Sequence, residues 1–188
     1  MSKAEKQRSH SRILDAAALL FRENGIGATS VSDVMKTAGM THGGFYRHFA
    51  SKEDLVEAAF SHAVDGVVAD MERESTVEGR KRSRQAYVSK YLSQEHVEDR
   101  SHGCPLAAMG AELARTGNAH AQAGARAVAR MAALLQNDPE GAPDQGLAEM
   151  ALLLGTITLA RLADTRDEAT QTLKTGQIAV RLLQDHWH

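Results

Sequence analysis

Apolar residues recur every three or four positions along almost the whole chain, which is the pattern of amphipathic α-helices. No stretch alternates between apolar and polar residues strictly enough to predict a β-strand. Beyond the N-terminal third, the predicted helices cover residues 82–96, 105–116, 119–136, 146–164 and 166–187. The pattern therefore predicts an all-α protein of about nine helices.

The N-terminal residues contain the end of one predicted helix and the start of the next. The first helix presents an apolar face and ends at Asn24-Gly25, because a glycine at this place is a common helix C-cap. Its apolar face consists of Ile13, Ala17, Leu20 and Phe21. Ser30, followed by Asp33 three positions later, is a capping box that begins a second, short helix.

A tight turn at Gly39-Met40-Thr41 separates this short helix from a third one that ends near Phe49. Two short helices joined by a three-residue turn containing glycine have the layout of a helix-turn-helix. Phe45 and Phe49 are four positions apart and are expected to point into a small core. Ser51 then begins a long helix.

Several residues in and after the third helix are unfavourable for an isolated helix. Gly43 and Gly44 each cost about 1 kcal/mol relative to alanine in a helix interior, and close approach to a DNA groove explains their presence. Lys52 lies at a helix N-terminus, where a cation opposes the helix dipole unless an anion such as a phosphate is bound. Each feature also has an ordinary explanation, a frayed turn or a solvated charge, but together they favour a DNA-docking surface.

Charge is distributed unevenly along the 188 residues, although the net charge is only −2. The segment that ends at Lys52 contains eight basic and four acidic residues, whereas the remainder is acidic. A basic segment joined to an acidic remainder is typical of a module that binds a polyanion. Chance asymmetry on solvated helix faces is the alternative.

Composition excludes several classes of protein and site. The single cysteine excludes an intramolecular disulfide framework and a cysteine-based zinc cage, and it fits a reducing compartment. The nine histidines form no ligand-spaced pair on a predicted helix, so we expect no metal and no cofactor. No segment is long and apolar enough for a secretory signal or a membrane span, which predicts a soluble, cytoplasmic protein.

At this point a family resemblance is evident. The string TSVSDVMKTAGMTHGGFYRHFASKEDL, preceded by RILDAAALLFRENG, closely resembles the DNA-binding domain of TetR-type transcriptional regulators. The resemblance covers about residues 6–66, with the helix-turn-helix at about 29–48. It implies a homodimer that binds a palindromic operator in double-stranded DNA through two recognition helices. It also implies that residues 67–188 form a helical domain for dimerisation and for binding a small-molecule inducer that releases the DNA.

The resemblance also assigns roles to individual residues. By position, Tyr46, His48 and Lys52 contact phosphates, helped by Ser30 and Thr41. The residues that face base edges are His42, Gly43 and Gly44, of which only His42 has a side chain that reads a base by hydrogen bonding. Specificity therefore also draws on Ser32, Lys36, main-chain contacts and DNA shape. Arg47 is expected to face solvent or DNA on the same helix.

The C-terminal helices carry the predicted dimer interface. Residues 146–164 are apolar nearly all round, so this helix needs cover on more than one side, and the last helix carries an apolar stripe. Packing against symmetry mates gives a four-helix interface, while burial within a monomer is the alternative. The predicted interface residues are Leu147, Met150, Leu154, Thr158, Leu173, Val180, Leu183 and Trp187.

Cys104 is the candidate sensor residue. Pro105 suits the first position of a helix, which places Cys104 at or near the N-cap, where the helix dipole favours a thiolate. Some TetR-type sensors of reactive compounds carry Gly-Cys at a similar place, and this segment resembles theirs. The alternative is a small buried residue of the core. Residues that could line an effector cavity, or equally belong to the core, are Phe60, Tyr87, Tyr91, Met109, Leu113 and Met131.

Two other classes of function are alternatives to a ligand-responsive repressor. The chain contains no GxSxG, Walker, HExxH or dinucleotide motif, so it is not expected to be an enzyme. A constitutive DNA-binding architectural protein is the other possibility, and it predicts a body without a sizeable cavity. The basic run at 80–84 resembles a nucleic-acid patch but is predicted to be a solvated connection between helices.

Overall fold

A computed structural model describes residues 2–115, 118–136 and 144–187, and these residues are helical almost throughout. The predicted all-α fold is confirmed. The α-helices are α1 (Lys3–Asn24), α2 (Val31–Thr37), α3 (Lys52–Glu72), α4 (Val77–Tyr91), α5 (Gln94–Glu98), α6 (Pro105–Leu113), α7 (Asn118–Leu135), α8 (Gln145–Arg161) and α9 (Arg166–His186). A 3₁₀ helix, His42–Arg47, lies between α2 and α3.

The chain divides into two compact units. The first unit consists of residues 1–66 and 101–124, and the second of residues 67–100 and 125–188. Helix α6 therefore belongs to the same unit as the N-terminal helices, although residues 67–100, which lie between them in the chain, belong to the second unit.

The core of the first unit is built where α1 packs against α2 and α6. Its largest fully buried side chains are Ile13, Phe21, Met35, Phe45, Leu55, Phe60, Met109 and Leu113. Aromatic and aliphatic side chains from distant segments thus enclose one another, and their removal from water provides the main stabilisation of the unit.

The capping signals of the N-terminal segment are confirmed. Gly25 ends α1 with a φ of +87°, a conformation that favours glycine. Ser30 and Asp33 form the capping box of α2: Ser30 Oγ accepts from the Asp33 N–H at 3.1 Å, and the Asp33 carboxylate accepts from the Ser30 N–H at 3.1 Å. Ser51 Oγ likewise accepts from the Asp54 N–H at 3.0 Å at the start of α3.

The segment predicted as a third short α-helix is instead the 3₁₀ helix. Its first turn closes with a hydrogen bond from the Gly44 N–H to the Thr41 carbonyl at 3.0 Å, and its last with one from the His48 N–H to the Phe45 carbonyl at 2.8 Å. Hydrogen bonds between residues three apart are usual in short helices, and two adjacent glycines have little propensity for an α-helix.

Two predicted boundaries around the basic run are wrong. Residues 80–84 do not form a connection but lie inside α4, because Thr76 Oγ1 accepts from the Gly79 N–H at 3.0 Å and begins the helix earlier. The predicted helix 82–96 is broken at Leu92, which leaves helical geometry, and Ser93 then caps α5.

The second unit is dominated by the packing of α8 against α9. Gly176 has no side chain at the point of closest approach, where a Cβ atom would collide with the side chain of Thr156. Gln184 donates to both carboxylate oxygens of the fully buried Glu149 at 3.0 Å. Arg161 of α8 also donates to the carbonyl oxygen of His96 at 2.8 Å. These polar contacts fix which faces of α8 and α9 point inward.

Within the residues that the structure describes, no helix is both long and apolar enough to cross a membrane.

Candidate nucleic-acid interface

Residues 30–49 form the helix-turn-helix on a shared apolar core. Gly39 follows α2 with a φ of +66°, and the Met40 N–H donates to the Met35 carbonyl at 2.8 Å, which closes the turn. The inward-facing side chains of this segment are Val34, Met35, Ala38, Phe45 and Phe49. The predicted inward orientation of Phe45 and Phe49 is confirmed.

Other side chains of the same segment point to solvent. Tyr46 keeps 70% of its surface exposed, which is a large fraction for an aromatic residue in a folded domain. The predicted DNA-contacting residues that are exposed are Ser30, Ser32, Lys36, Thr41, His42, Gly43, Tyr46 and Arg47. Hydroxyl groups, cations and an aromatic ring thus lie together on two neighbouring short helices, on which they can contact phosphates and base edges.

The two glycines of the 3₁₀ helix are not required by packing within the chain. A Cβ atom added at Gly43 would meet nothing within 4 Å, and one at Gly44 would meet Met35 Cε at an ordinary 3.6 Å. Neither glycine has a positive φ. Gly43 is also exposed, so the fold leaves room for a side chain at a position where the sequence has none.

The hydroxyl groups of Ser30 and Thr41, two predicted phosphate contacts, differ in their hydrogen bonds within the chain. Ser30 Oγ caps α2 and donates to the Asp33 carboxylate at 2.5 Å. These hydrogen bonds lower the pKa of Asp33, with a smaller contribution from the charge of Lys36. Thr41 is the N-cap of the 3₁₀ helix, but its side chain makes no capping hydrogen bond. Thr41 is therefore the freer of the two hydroxyl donors.

Lys52 has a partner that the sequence did not reveal. The expected anion next to this cation is a phosphate, whereas in the structure Lys52 Nζ donates to the carbonyl oxygen of Ile26 at 2.7 Å. Lys52 is half-buried in this position and links the start of α3 to the loop after α1. A lysine ammonium has three donors, so this contact leaves two for another acceptor.

His48 is half-buried at the end of the 3₁₀ helix, and its Nδ1 is buried without a hydrogen-bond partner. Burial lowers the pKa of His48, and repulsion from His10, Lys6 and Arg47 lowers it further. With Nδ1 buried, Nε2 is the ring nitrogen left to donate to an external acceptor.

Glu112 on α6 was not singled out from the sequence, yet it holds the loop that precedes α2. Its carboxylate oxygens accept from the main-chain N–H groups of Ile26 and Gly27, both at 3.1 Å. Arg22 of α1 also donates to the carbonyl oxygen of Gly103, just before α6, at 3.1 Å. No local pattern marks these contacts, because their partners lie about eighty residues apart in the chain.

The predicted effector and sensor residues are buried or half-buried. Cys104, Phe60, Met109 and Leu113 belong to the first unit, and Tyr87, Tyr91 and Met131 belong to the second. Cys104 is the N-cap of α6 with Pro105 at the first helical position, as predicted. Only 3% of Cys104 is exposed. An effector cavity lined by these residues stays a prediction.

The predicted dimer residues divide into two groups. Met150, Leu173 and Val180 are buried between helices of the same chain, so they are unsuited to contact a second chain. Leu147, Thr158 and Trp187 are exposed, and Leu154 and Leu183 are half-buried. Four large apolar side chains that were not among the predicted dimer residues are more than half exposed, namely Leu159, Leu162, Ile178 and Leu182.

Comparison with known proteins identifies the N-terminal segment. The family model for bacterial regulatory proteins of the tetR family matches residues 13–59, which include the whole helix-turn-helix. The HTH-type transcriptional regulator AcrR of Shigella flexneri is 43% identical over 54 residues, 29% of this chain and 25% of AcrR. Residues 13–59 are thus a TetR-family segment. Members of this family are transcriptional regulators and not enzymes, as expected from the absence of catalytic motifs.

Resemblance to curated relatives extends over only part of their length. An uncharacterized HTH-type transcriptional regulator of Mycobacterium tuberculosis is 34% identical over 107 residues, 56% of this chain and 54% of that protein. The matched stretches thus span about a quarter to about half of these relatives.

Solved structures share the TetR fold along nearly the entire chain. A TetR-family regulator of Cytophaga hutchinsonii superposes with a TM-score of 0.72 at 20% identity, over 96% of this chain and 97% of that one. FadR of Bacillus subtilis, in complex with stearoyl-CoA, superposes with a TM-score of 0.57 at 21% identity, over 92% and 96% of the two chains. At these identities the likeness establishes the fold alone.

Proposed function

We propose that this chain is a TetR-family repressor that binds a palindromic operator in double-stranded DNA as a homodimer and leaves it when a small-molecule inducer binds. The observation that carries the proposal is the pairing of a mostly exposed Tyr46 with an exposed Gly43 that intrachain packing does not require. An exposed aromatic side chain and a helical glycine bring no advantage to the chain on its own. Both are useful when the 3₁₀ helix lies against a DNA groove.

In this proposal some residues of the interface contact phosphates and others face the bases. Tyr46, Thr41 and His48 donate to phosphates, and Lys52 adds a phosphate contact through the donors that Ile26 does not use. His42 and the main chain at Gly43 face the base edges, and Ser32 and Lys36 of α2 lie on the adjacent short helix. Because only one of the groove-facing side chains is a good hydrogen-bonding group, DNA shape contributes to specificity.

The homodimer is supported by an apolar face on α8 and α9. The side chains of Leu147, Leu159 and Leu162 on α8, and of Ile178 and Leu182 on α9, are 45% to 74% exposed. Clustered exposure of this kind marks an interaction surface. Paired with the same face of a second copy, these helices form a four-helix interface, and the two DNA-binding segments then match the two half-sites of a palindrome.

The inducer is assigned to residues 67–188, together with the dimer interface. The fold accommodates such ligands in at least one similar protein, the FadR whose structure contains stearoyl-CoA. The second unit's candidates for contact with the ligand are the buried Tyr91 and Met131 and the half-buried Tyr87, since methionine and aromatic side chains adapt to apolar molecules.

A thiol-switched repressor is the second candidate. It is favoured by the position of Cys104 at the N-cap of α6, since the positive end of a helix dipole favours a thiolate. Because Cys104 is almost fully buried, the reagent must be small, or α6 must open before the thiol reacts. With one cysteine in the chain, the switch is an adduct, a sulfenic acid or a disulfide between subunits.

The test begins with a duplex that the wild-type protein selects from a random-sequence library. Binding to this duplex is measured by fluorescence anisotropy for the wild type, Tyr46→Ala and Tyr46→Phe. We expect Tyr46→Ala to lower the affinity about tenfold for every DNA sequence that the protein binds. Tyr46→Phe keeps the ring but lacks the hydroxyl group, so its affinity should lie between those of wild type and Tyr46→Ala. Failure of the wild type to select any duplex, or unchanged affinity in a correctly folded Tyr46→Ala, would contradict the proposal.

A further inference from the structure

The N-terminal half of α1 extends beyond the packed core. Helix α1 begins at Lys3, yet its first buried residue is Ile13. Successive steps of three or four positions lead from the buried Ala17 through Ile13 to His10, Lys6 and Lys3. These residues therefore share one stripe of the helix, which is apolar where it meets the core and cationic where it extends beyond it.

His10 places this stripe next to the recognition segment. Its ring stacks on Phe49 with a centroid distance of 4.8 Å and lies 5.7 Å from the ring of His48. The side chain of Phe49 is itself held in the core of the first unit. His10 is thus the point at which the cationic stripe of α1 joins the surface that carries His48 and Arg47.

The lysines next to this junction have no anionic partner among the residues that the structure describes. In addition to burial, His10, Lys6 and Arg47 lower the pKa of His48, so positive charge from α1 and from the 3₁₀ helix converges on this imidazole. Within the described residues, the side chains of Lys3 and Lys6 make no ion pair or hydrogen bond. Glu5, the acid of the first turn, accepts from the Ser2 N–H in the capping box of α1 and lies on a different side of the helix. A bound polyanion would relieve this convergence of positive charge.

We propose that Lys3 and Lys6 form a second phosphate-binding stripe, held in register by the stacking of His10, which extends the DNA contact beyond the helix-turn-helix. The inference rests on the proposed DNA-binding function and adds a subsite to it. The lysines contact the sugar-phosphate backbone next to the half-site, and they contribute affinity without sequence preference. His10 is a positioning residue that keeps α1 against the end of the 3₁₀ helix.

Arg8 provides a matched control for the test. It belongs to the same exposed part of α1 but lies on the opposite side of the helix from the stripe, about 160° around the axis from His10. Lys6→Gln and Arg8→Gln each remove one positive charge from the same helix and leave equal net charges. Circular dichroism of both variants checks that α1 remains folded.

The measurement is the salt dependence of binding to the selected duplex. We expect Lys6→Gln to lower affinity several-fold and to reduce the slope of log K against log salt by about 0.9 per lost contact, or roughly 2 for a dimer. Arg8→Gln should change neither, and Lys6→Arg should restore the wild-type slope. His10→Gln, which removes the stack but keeps both lysines, should reduce the slope in part.

Trimming the duplex separates this subsite from the primary one. When the base pairs that flank the half-sites are removed, wild type and Lys6→Gln should bind with equal affinity and equal slope, because the proposed partner phosphates are gone. Equal losses in Lys6→Gln and Arg8→Gln on the long duplex would overturn the stripe while the repressor proposal stands. Absence of salt-dependent binding by the wild type would overturn the repressor proposal itself.

Discussion

Lys52 Nζ donates a hydrogen bond to the carbonyl oxygen of Ile26 at 2.7 Å, across 26 positions of the chain. The N–H of the same Ile26 donates to Glu112, so this one residue of the loop is held on both sides. The loop leads directly into α2, and its position sets where the helix-turn-helix begins.

Replacement of Lys52 by methionine should destabilise the chain by about 1 kcal/mol. A hydrogen bond to a charged group contributes roughly 1.5–3 kcal/mol, and the half-exposed setting reduces this value. The free energy of unfolding in urea measures the effect, with Lys90→Met, an exposed lysine of α4, as the control. If the two variants were equally stable, the contact of Lys52 with Ile26 would not contribute to stability, and the role of Lys52 would lie in DNA binding alone.

Gly43→Ala should separate folding from DNA binding. Because a Cβ atom meets nothing within 4 Å, the variant should be as stable as wild type, or more stable by up to about 1 kcal/mol. Its affinity for the selected duplex should fall at least about tenfold, since the new methyl group holds the helix away from the groove. Gly66→Ala is the matched control, because Gly66 is also exposed with nothing within 4 Å, but on α3. Equal DNA affinity of the two variants would refute close approach at Gly43.

Ile178→Lys should convert the proposed dimer to a monomer. Ile178 is 59% exposed on α9, one turn from the exposed Leu182, and a lysine buried in an interface opposite its symmetry mate is strongly unfavourable. Sedimentation velocity should give the monomer mass, and the affinity for a palindromic duplex should fall towards that for a single half-site. Val77→Lys, at a 76% exposed apolar residue of α4, should leave both unchanged. A dimer that survives Ile178→Lys would place the interface elsewhere.

Glu149→Gln should stabilise the chain at neutral pH. Burial raises the pKa of Glu149, while the hydrogen bond from Gln184 and the charge of Arg84 only partly oppose the effect. The pKa of Glu149 in the folded chain lies above the ordinary 4.5, so the unfolded chain loses this proton more readily than the folded chain does. The free energy of unfolding therefore falls as the pH rises from about 4.5 through the folded-state pKa. Urea denaturation should therefore show the variant to be more stable than wild type at pH 7 and equally stable near pH 4. A pH-independent difference would assign the effect to packing instead.

Cys104→Ser should leave the DNA affinity of the reduced protein unchanged. If the thiol is the trigger, mild oxidant or a small alkylating agent should release wild-type protein from the duplex and leave the variant bound. The variant contains no other cysteine, so any remaining response must arise from a different residue. Wild type that stays bound after treatment would remove the thiol switch and leave a non-covalent inducer.

The local parts of the fold were predictable because their interactions span three or four positions. Ser30 and Asp33 satisfy each other within one turn, and Gly25 ends α1 through its own backbone freedom. The inward-facing Phe45 and Phe49 followed from their spacing for the same reason. The 3₁₀ geometry between them did not, because two glycines tolerate either form of helix.

The interface faces of α8 and α9 depended on the tertiary structure. Helix α8 is apolar nearly all round, so its pattern alone could not distinguish Met150, which packs inside the chain, from Leu159, which points outward. The orientation is determined by contacts between helices, such as Gly176 against Thr156 and Gln184 on Glu149.

The helical class, the capping signals, the basic N-terminal segment and its resemblance to the TetR family could all be predicted from the sequence, because each depends on residues close together in the chain. The contact of Lys52 with Ile26, the hold of Glu112 on the loop and the place of α6 in the N-terminal unit emerge only in the folded chain. These contacts join residues 26 to 86 positions apart, and polar partners at such separations leave no periodic signal in the chain.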